Sequence, residues 1–313
     1  MTRRLSVRSV LLVALVCLTL VGLGPPEARA HPGLHIDIER ATRSIESDPE
    51  NAENYARRAH YYRLGGHLEE SLADLEHGSE LEPGNLAVVL GLGLTLSALG
   101  RDTEAEAELN RFISTGGISV RAYSERGAVR ARNGRFQDAI ADYTKAIEIQ
   151  RDVELYLRRG ALQEAIGELE AAALGYSEGL RDLGGAVTVR LALIRVETDR
   201  GEYDSALAYI DEELKRVPVK TNWYLRRAEV LQAAGKTSEA ELALSQALAE
   251  ANQVIEKRAT GIQLFSRAKV YVALGRTDLA REDLVAVLLK APRFTEAREM
   301  LEQLEAQGTS QED

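Results

Sequence analysis

The stretch LYLRRGALQEAIG at 155–167 returns as WYLRRAEVLQAAG at 223–235. The offset is twice 34, and a fixed period of this length restricts a chain to architectures in which one supersecondary unit stacks on copies of itself. A glycine marks the period at Gly66, Gly100, Gly134, Gly167, Gly201, Gly235 and Gly275, at intervals of 34, 34, 33, 34, 34 and 40. Five residues after each glycine stands Ser71, Ala105, Ala139, Ala172, Ala206, Ala240 or Ala280. Four further on comes Leu75, Leu109, Tyr143, Tyr176, Ile210, Leu244 or Leu284. Seven residues before the glycine a small position recurs as Ala59, Gly93, Gly127, Gly160, Ala228 and Ala268, with Ile194 as the exception.

These spacings have a common physical reason. Small residues at fixed helical positions let two antiparallel helices approach closely, and glycine supplies the left-handed C-cap of the first helix. Pro83, Pro218 and Pro292 stand at one fixed distance past Gly66, Gly201 and Gly275, where they stop the second helix in three of the copies. Seven Pro, four Phe and one Trp against abundant Ala, Leu, Glu and Arg fit a mostly helical chain of small and medium side chains. Each copy is one helical hairpin that cannot bury its apolar face alone.

The chain therefore resembles the tetratricopeptide repeat proteins. The resemblance runs over seven units, residues 52–292, and stretches such as YSERGAVRARNGRFQDAIADYTKAIEI at 123–149 match the family pattern at nearly every signature position. Unit five departs most, with Ile194 and Glu213 where small residues are usual. The resemblance implies an all-α, right-handed α-solenoid of about seven helix-turn-helix units. Residues 31–51 hold a single N-terminal capping helix, residues 293–306 a C-terminal one, and residues 307–313 a polar tail expected to be disordered. The longest interval, from Gly235 to Gly275, places about six extra residues near 249–261, read as a longer second helix and loop.

The second Arg of YLRR, at Arg159 and Arg227, is matched by Arg58, Arg126 and Arg267 in other units, and each of those three is followed at one fixed spacing by an aspartate: Asp74, Asp142 and Asp283. In the family's geometry these positions face one another. Arg58 with Asp74, Arg126 with Asp142 and Arg267 with Asp283 are thus expected to form partly buried ion pairs between the two helices of a hairpin.

The first thirty residues differ from the rest. Arg3, Arg4 and Arg8 precede an apolar run from Val10 to Leu23, and Ala28-Arg29-Ala30 places small residues where a signal peptidase reads. These features predict a secretory signal cleaved after Ala30 and a periplasmic or secreted protein; the run is shorter than the roughly 20 residues a spanning helix needs. Cleavage would remove four basic and one acidic residue, leaving 35 basic and 48 acidic, a net charge of −13. Such a chain should repel nucleic acid. The sole cysteine, Cys17, lies inside the signal.

No catalytic motif is present, and no catalytic residue, cofactor or metal site is expected. His31, His35, His60, His67 and His77 form no His-Glu-x-x-His pattern, and Gly91-Leu92-Gly93 lacks the third glycine of a nucleotide loop because Leu96 stands there. A free amine at His31 after cleavage offers a minor alternative, copper binding. Family partners lie in the concave groove of the first helices. Here that implies a lining of Arg57, His60, Leu90, Leu94, Leu157, Arg158, Leu191, Arg195, Leu225, Arg226, Glu229, Phe265 and Lys269. Leu157, Leu191, Leu225 and Phe265 would either form an open apolar strip or pack against neighbouring first helices. The family's chaperone-binding carboxylate clamp is not supported, because its positions carry Ala56, His60 and Gly91. The expected function is a protein-protein interaction scaffold whose partner is an unidentified protein or peptide; self-association through the end helices is the alternative.

Overall fold

The structure is a computed structural model that describes the backbone of residues 33–309 and side chains through residue 307; the signal segment, its cleavage site and His31 lie outside the described residues. Sixteen helices and no strand occur among them. A single helix α1 (Leu34–Ser47) comes first. Four hairpins follow: α2 (Ala52–Leu64) with α3 (Leu68–Leu81), α4 (Leu86–Ala98) with α5 (Asp102–Ser114), α6 (Val120–Arg132) with α7 (Phe136–Ile149), and α8 (Val153–Ala165) with α9 (Leu169–Asp182). Three more are α10 (Val187–Asp199) with α11 (Tyr203–Arg216), α12 (Thr221–Ala233) with α13 (Thr237–Lys257), and α14 (Gly261–Ala273) with α15 (Thr277–Lys290). The last helix, α16 (Thr295–Thr309), runs three residues past the expected end at Ala306, because Gln307 to Thr309 continue its turns; residues 310–313 are outside the description.

The seven period glycines all sit in the left-handed region, with φ between 71° and 81°. Around each, the residue after the glycine donates its N–H to the carbonyl five residues back, as His67 does to Tyr62 at 2.9 Å and Arg135 to Arg130 at 2.8 Å. This is the Schellman closure, and it turns every first helix into its second in the same way. Close approach explains the small positions. A Cβ on Gly160 would lie 2.3 Å from the ring of Tyr176, which is 1% exposed.

First helices also start on a repeated device. The side chains of Asn51, Asn85, Ser119 and Asp152 accept backbone N–H bonds of α2, α4, α6 and α8, and Thr260 forms a capping box with Gln263 at α14. Each satisfies orphan donors at a junction between hairpins. The extra residues of the longest interval are helical: α13 has 21 residues where other second helices have 13 or 14.

The chain divides into two compact units, residues 1–192 and residues 193–313, with the division inside α10. In the first, Ala59, Leu75, Val88, Leu92 and Ala105 form one core, and Tyr143, Ala146, Leu155, Tyr156 and Leu162 belong to another. In the second, Ile194, Ile210, Leu231 and Leu244 share a core, and Leu264, Leu284, Val287, Ala297 and Leu304 bury α16 against the final hairpin. The spacing of Phe294, Ala297, Met300, Leu301 and Leu304 predicts one apolar stripe; Ala297 and Leu304 are buried, and the other three are partly buried against the same core.

The three expected ion pairs are present. Arg58 donates to Asp74 at 2.6 and 2.7 Å, Arg126 to Asp142 at 2.6 and 3.0 Å, and Arg267 to Asp283 at 2.7 and 2.8 Å. Each arginine also reaches backward to the preceding second helix or, for Arg58, to α1: Nη1 donates to Thr42 (3.3 Å), Asn110 (2.7 Å) or Asn252 (3.0 Å). The guanidinium thus joins hairpins as well as the helices within one. The hydrogen bond to Asp74 raises the pKa of Arg58, and that to Asp283 raises that of Arg267. Asp142 takes a second cation, Arg130, at 2.9 Å, and Arg130 in turn donates to Glu106 at 2.9 Å.

Where the aspartate is missing, the arginine finds another anion. Gly175 occupies the aspartate's place in the unit of Arg159, and Arg159 pairs with Glu178 at 2.7 Å. Ala243 occupies it in the unit of Arg227, which pairs backward with Asp211.

Candidate partner-binding groove

In the first unit the first helices α2, α4 and α6 are neighbours, and two adjoining cavities open along them. The α2–α4 cavity has a volume of about 300 Å³ and is lined by Ala56, Arg57, His60, Arg63, Leu90, Gly91 and Leu94, with Arg121 reaching in from α6. The α6–α8 cavity, about 380 Å³, is lined by Ser124, Glu125, Ala128, Asp152, Glu154 and Arg158, with Arg121 again at its edge. Arg121 is the only lining residue the two share.

The expected groove residues of this unit fall as follows. Arg57, His60, Leu90 and Leu94 surround the α2–α4 cavity, and Arg158 lines the other. Leu157 is half-buried next to Arg158, and it is Leu155 that supplies the leucine of that lining. Leu191 is partly buried near the end of the unit.

In the second unit Arg195 is exposed. Leu225, 8% exposed, is a core residue beside Val230 and Leu231, so at this position the apolar strip packs inward. Arg226 pairs with Glu229 at 2.6 Å. Phe265 lies tilted on Phe294 with centroids 4.9 Å apart, and the Lys269 ammonium sits 5.3 Å from the Phe265 ring. Burial first, and then Arg226, pushes the pKa of Lys269 down.

The electrostatics separate arginines with acids from those without. Arg158 is bound to Glu154 at 2.7 Å, and Arg57 stands 3.7 Å from Glu53. Arg63 has no carboxylate in contact; its Nη2 meets His60 Nδ1 at 3.0 Å. Burial pushes the Arg63 guanidinium down to about 10, the nearby charge of Arg121 adds to this, and Glu125 opposes it. Burial, then Arg63 and Arg121, lowers the pKa of His60. Arg63 remains charged at neutral pH, so two like charges face one cavity with little to balance them. A strongly perturbed charged group with a charge neighbour in a cleft is a candidate for a functional site. Nothing in the sequence marks Arg121: it is the second residue of α6, and only the stacking of α6 on α4 brings it to Arg63.

Among the described residues no group of three His, Cys, Asp or Glu could hold a metal ion, and no helix is long and apolar enough to cross a membrane.

Seven helical hairpins of one period define a helical-repeat protein. Comparison with known proteins gives the kind of repeat. The tetratricopeptide repeat family model matches residues 90–153 and 191–255. The C-terminal part of a tetratricopeptide repeat-containing protein from Cytophaga hutchinsonii aligns with a TM-score of 0.54 at 16% identity, over 78% of this chain and 98% of that one. A tetratricopeptide repeat protein from Parabacteroides merdae aligns with a TM-score of 0.49 at 19% identity, over 81% of this chain and 98% of the other. The Hsp70-Hsp90 organizing protein of Triticum aestivum is 34% identical over 82 residues, which are 26% of this chain and 14% of that protein. This chain has the tetratricopeptide-repeat fold, and its two matched stretches are tetratricopeptide repeats.

Proposed function

We propose that this chain is a non-catalytic scaffold or adaptor that holds a partner protein or peptide against the first helices of its N-terminal unit. The observation that carries the reading is the groove itself: two adjoining cavities of about 300 and 380 Å³ on first helices, one holding two arginines that lack acidic partners. A folding core gains nothing from leaving such charges unpaired, whereas a binding surface does. The fold supports the reading, since repeat solenoids present extended surfaces made of equivalent helix faces. The protein works in the periplasm or outside the cell, a location supported by Arg3, Arg4, Arg8, the apolar run and the Ala28-Arg29-Ala30 site.

The test is affinity capture from a native envelope extract with the wild type and with a folded Leu90→Glu, Arg158→Glu variant. A protein retained by the wild type and lost from the variant supports the groove. Equal retention of the same protein by both would remove it from consideration.

A further inference from the structure

The two cavities carry opposite charge. The α2–α4 cavity has Arg57, Arg63 and Arg121 against the single carboxylate of Glu53. The α6–α8 cavity has Glu125, Asp152 and Glu154 against Arg121 and Arg158. Local pairing sharpens this contrast rather than cancelling it. Glu53 and Arg57 are held loosely at 3.7 Å, which leaves Arg63 and Arg121 with no carboxylate in contact, Glu125 acting on Arg63 only through space. Arg158 is committed to Glu154, which leaves Glu125 and Asp152 as the surplus. Glu125 accepts from the hydroxyl of Ser97, at 2.5 Å, and Asp152 from the backbone N–H of Glu154, at 2.8 Å, so neither is in contact with a cation.

Resting on the groove reading above, we infer that the bound segment is itself dipolar: an extended peptide whose acidic residue enters the α2–α4 cavity between Arg63 and Arg121, and whose basic residue enters the α6–α8 cavity beside Glu125 and Asp152. The apolar floor of Leu90 and Leu94 takes a side chain next to the acidic residue. Cavities of this size hold one or two side chains each, whereas an α-helix with its side chains is about 10 Å across. Neighbouring helix axes lie about 10 Å apart, so cavities two first helices apart are separated by roughly 20 Å. An extended chain covers that distance in about six residues. The charge order also fixes direction, because a segment bound the other way round would set its acid against Glu125 and its base against Arg63.

The test is selection of a displayed library of random twelve-residue peptides on the purified protein, in parallel on Arg63→Glu, Arg121→Glu, Glu125→Lys and Leu90→Glu variants whose helicity matches wild type. The wild-type pool should be enriched in peptides with an acidic and a basic residue about six apart in one order. Arg63→Glu or Arg121→Glu should abolish the acidic preference, and Glu125→Lys the basic one. A wild-type pool with no charge pattern, yet lost in Leu90→Glu, would overturn the dipolar segment and leave the groove standing. Failure to enrich any peptide on the wild type would overturn the groove reading and the inference together.

Discussion

Substituting Asp142 by Asn should damage the fold more than any other single change in the ion-pair ladder. Asp142 is 2% exposed and is shared by Arg126 and Arg130, whose side chains are 13% and 17% exposed. Breaking a buried pair by removing one charge costs about 3–5 kcal/mol, because the partner is left charged in a poor solvent. An Asn oxygen can still accept from Arg126, which restores about 1 kcal/mol. Arg130 retains the carboxylate of Glu106, whereas Arg126 retains only neutral neighbours, Asn110 and the Tyr123 ring 5.6 Å away, so the net loss should be about 3 kcal/mol, centred on Arg126. For a unit of this size that corresponds to a fall in Tm of about 6–12 °C. Thermal unfolding followed by circular dichroism reads this loss, and hydrogen exchange should place the added opening in α5, α6 and α7, the three helices that Arg126 joins. Asp283→Asn, which deserts a single arginine, should cost less. Melting of Asp142→Asn within a degree of wild type would refute the idea that this carboxylate compensates two buried cations.

Other consequences concern single positions. Asp211→Asn should change stability by less than about 1 kcal/mol in urea titration, since Arg227 and Asp211 are 28% and 45% exposed and solvent screens the pair. Gly160→Ala forces a Cβ into the Tyr176 ring and should destabilise by about 1–3 kcal/mol, and Tyr176→Phe, which leaves the ring in place, should not relieve it. His60 has a lowered pKa, so the unfolded chain binds its proton more readily; stability is lost as pH falls through the ordinary histidine value, and the loss levels off below the folded one. An anionic ligand beside Arg63 reverses that preference, so affinity for an acidic peptide should rise from pH 7.5 to 5.5 in calorimetry, and His60→Gln should flatten the rise. N-terminal sequencing of protein recovered from fractionated cells should begin at His31; a chain that begins at its initiator end in the cytoplasmic fraction would refute export.

Much of the fold is legible in the sequence because stacking leaves one residue at each fixed place. Gly66 and its counterparts can be read without an alignment, since only glycine adopts the left-handed cap at no steric cost. Arg58 and Asp74 can be read because their spacing repeats in two other units. The caps Asn51, Asn85, Ser119, Asp152 and Thr260 stand at one fixed distance before five of the glycines and were open to the same reasoning, but their differing letters hide the pattern. The groove is another matter. Leu225 has the same register as Leu157 and yet is buried in a core, and Arg121 becomes a groove residue only through its neighbour across the stack. Those properties depend on distances between units, which no period records.

The most direct measurement places a photocrosslinking amino acid at Leu90, in the groove, and separately at Leu174, which is 64% exposed on the second helix α9, and identifies what each captures in cells. A partner that crosslinks to position 90 and not to position 174 is the expected result. Capture from position 174 alone would place the partner on another face and contradict the groove as the binding surface.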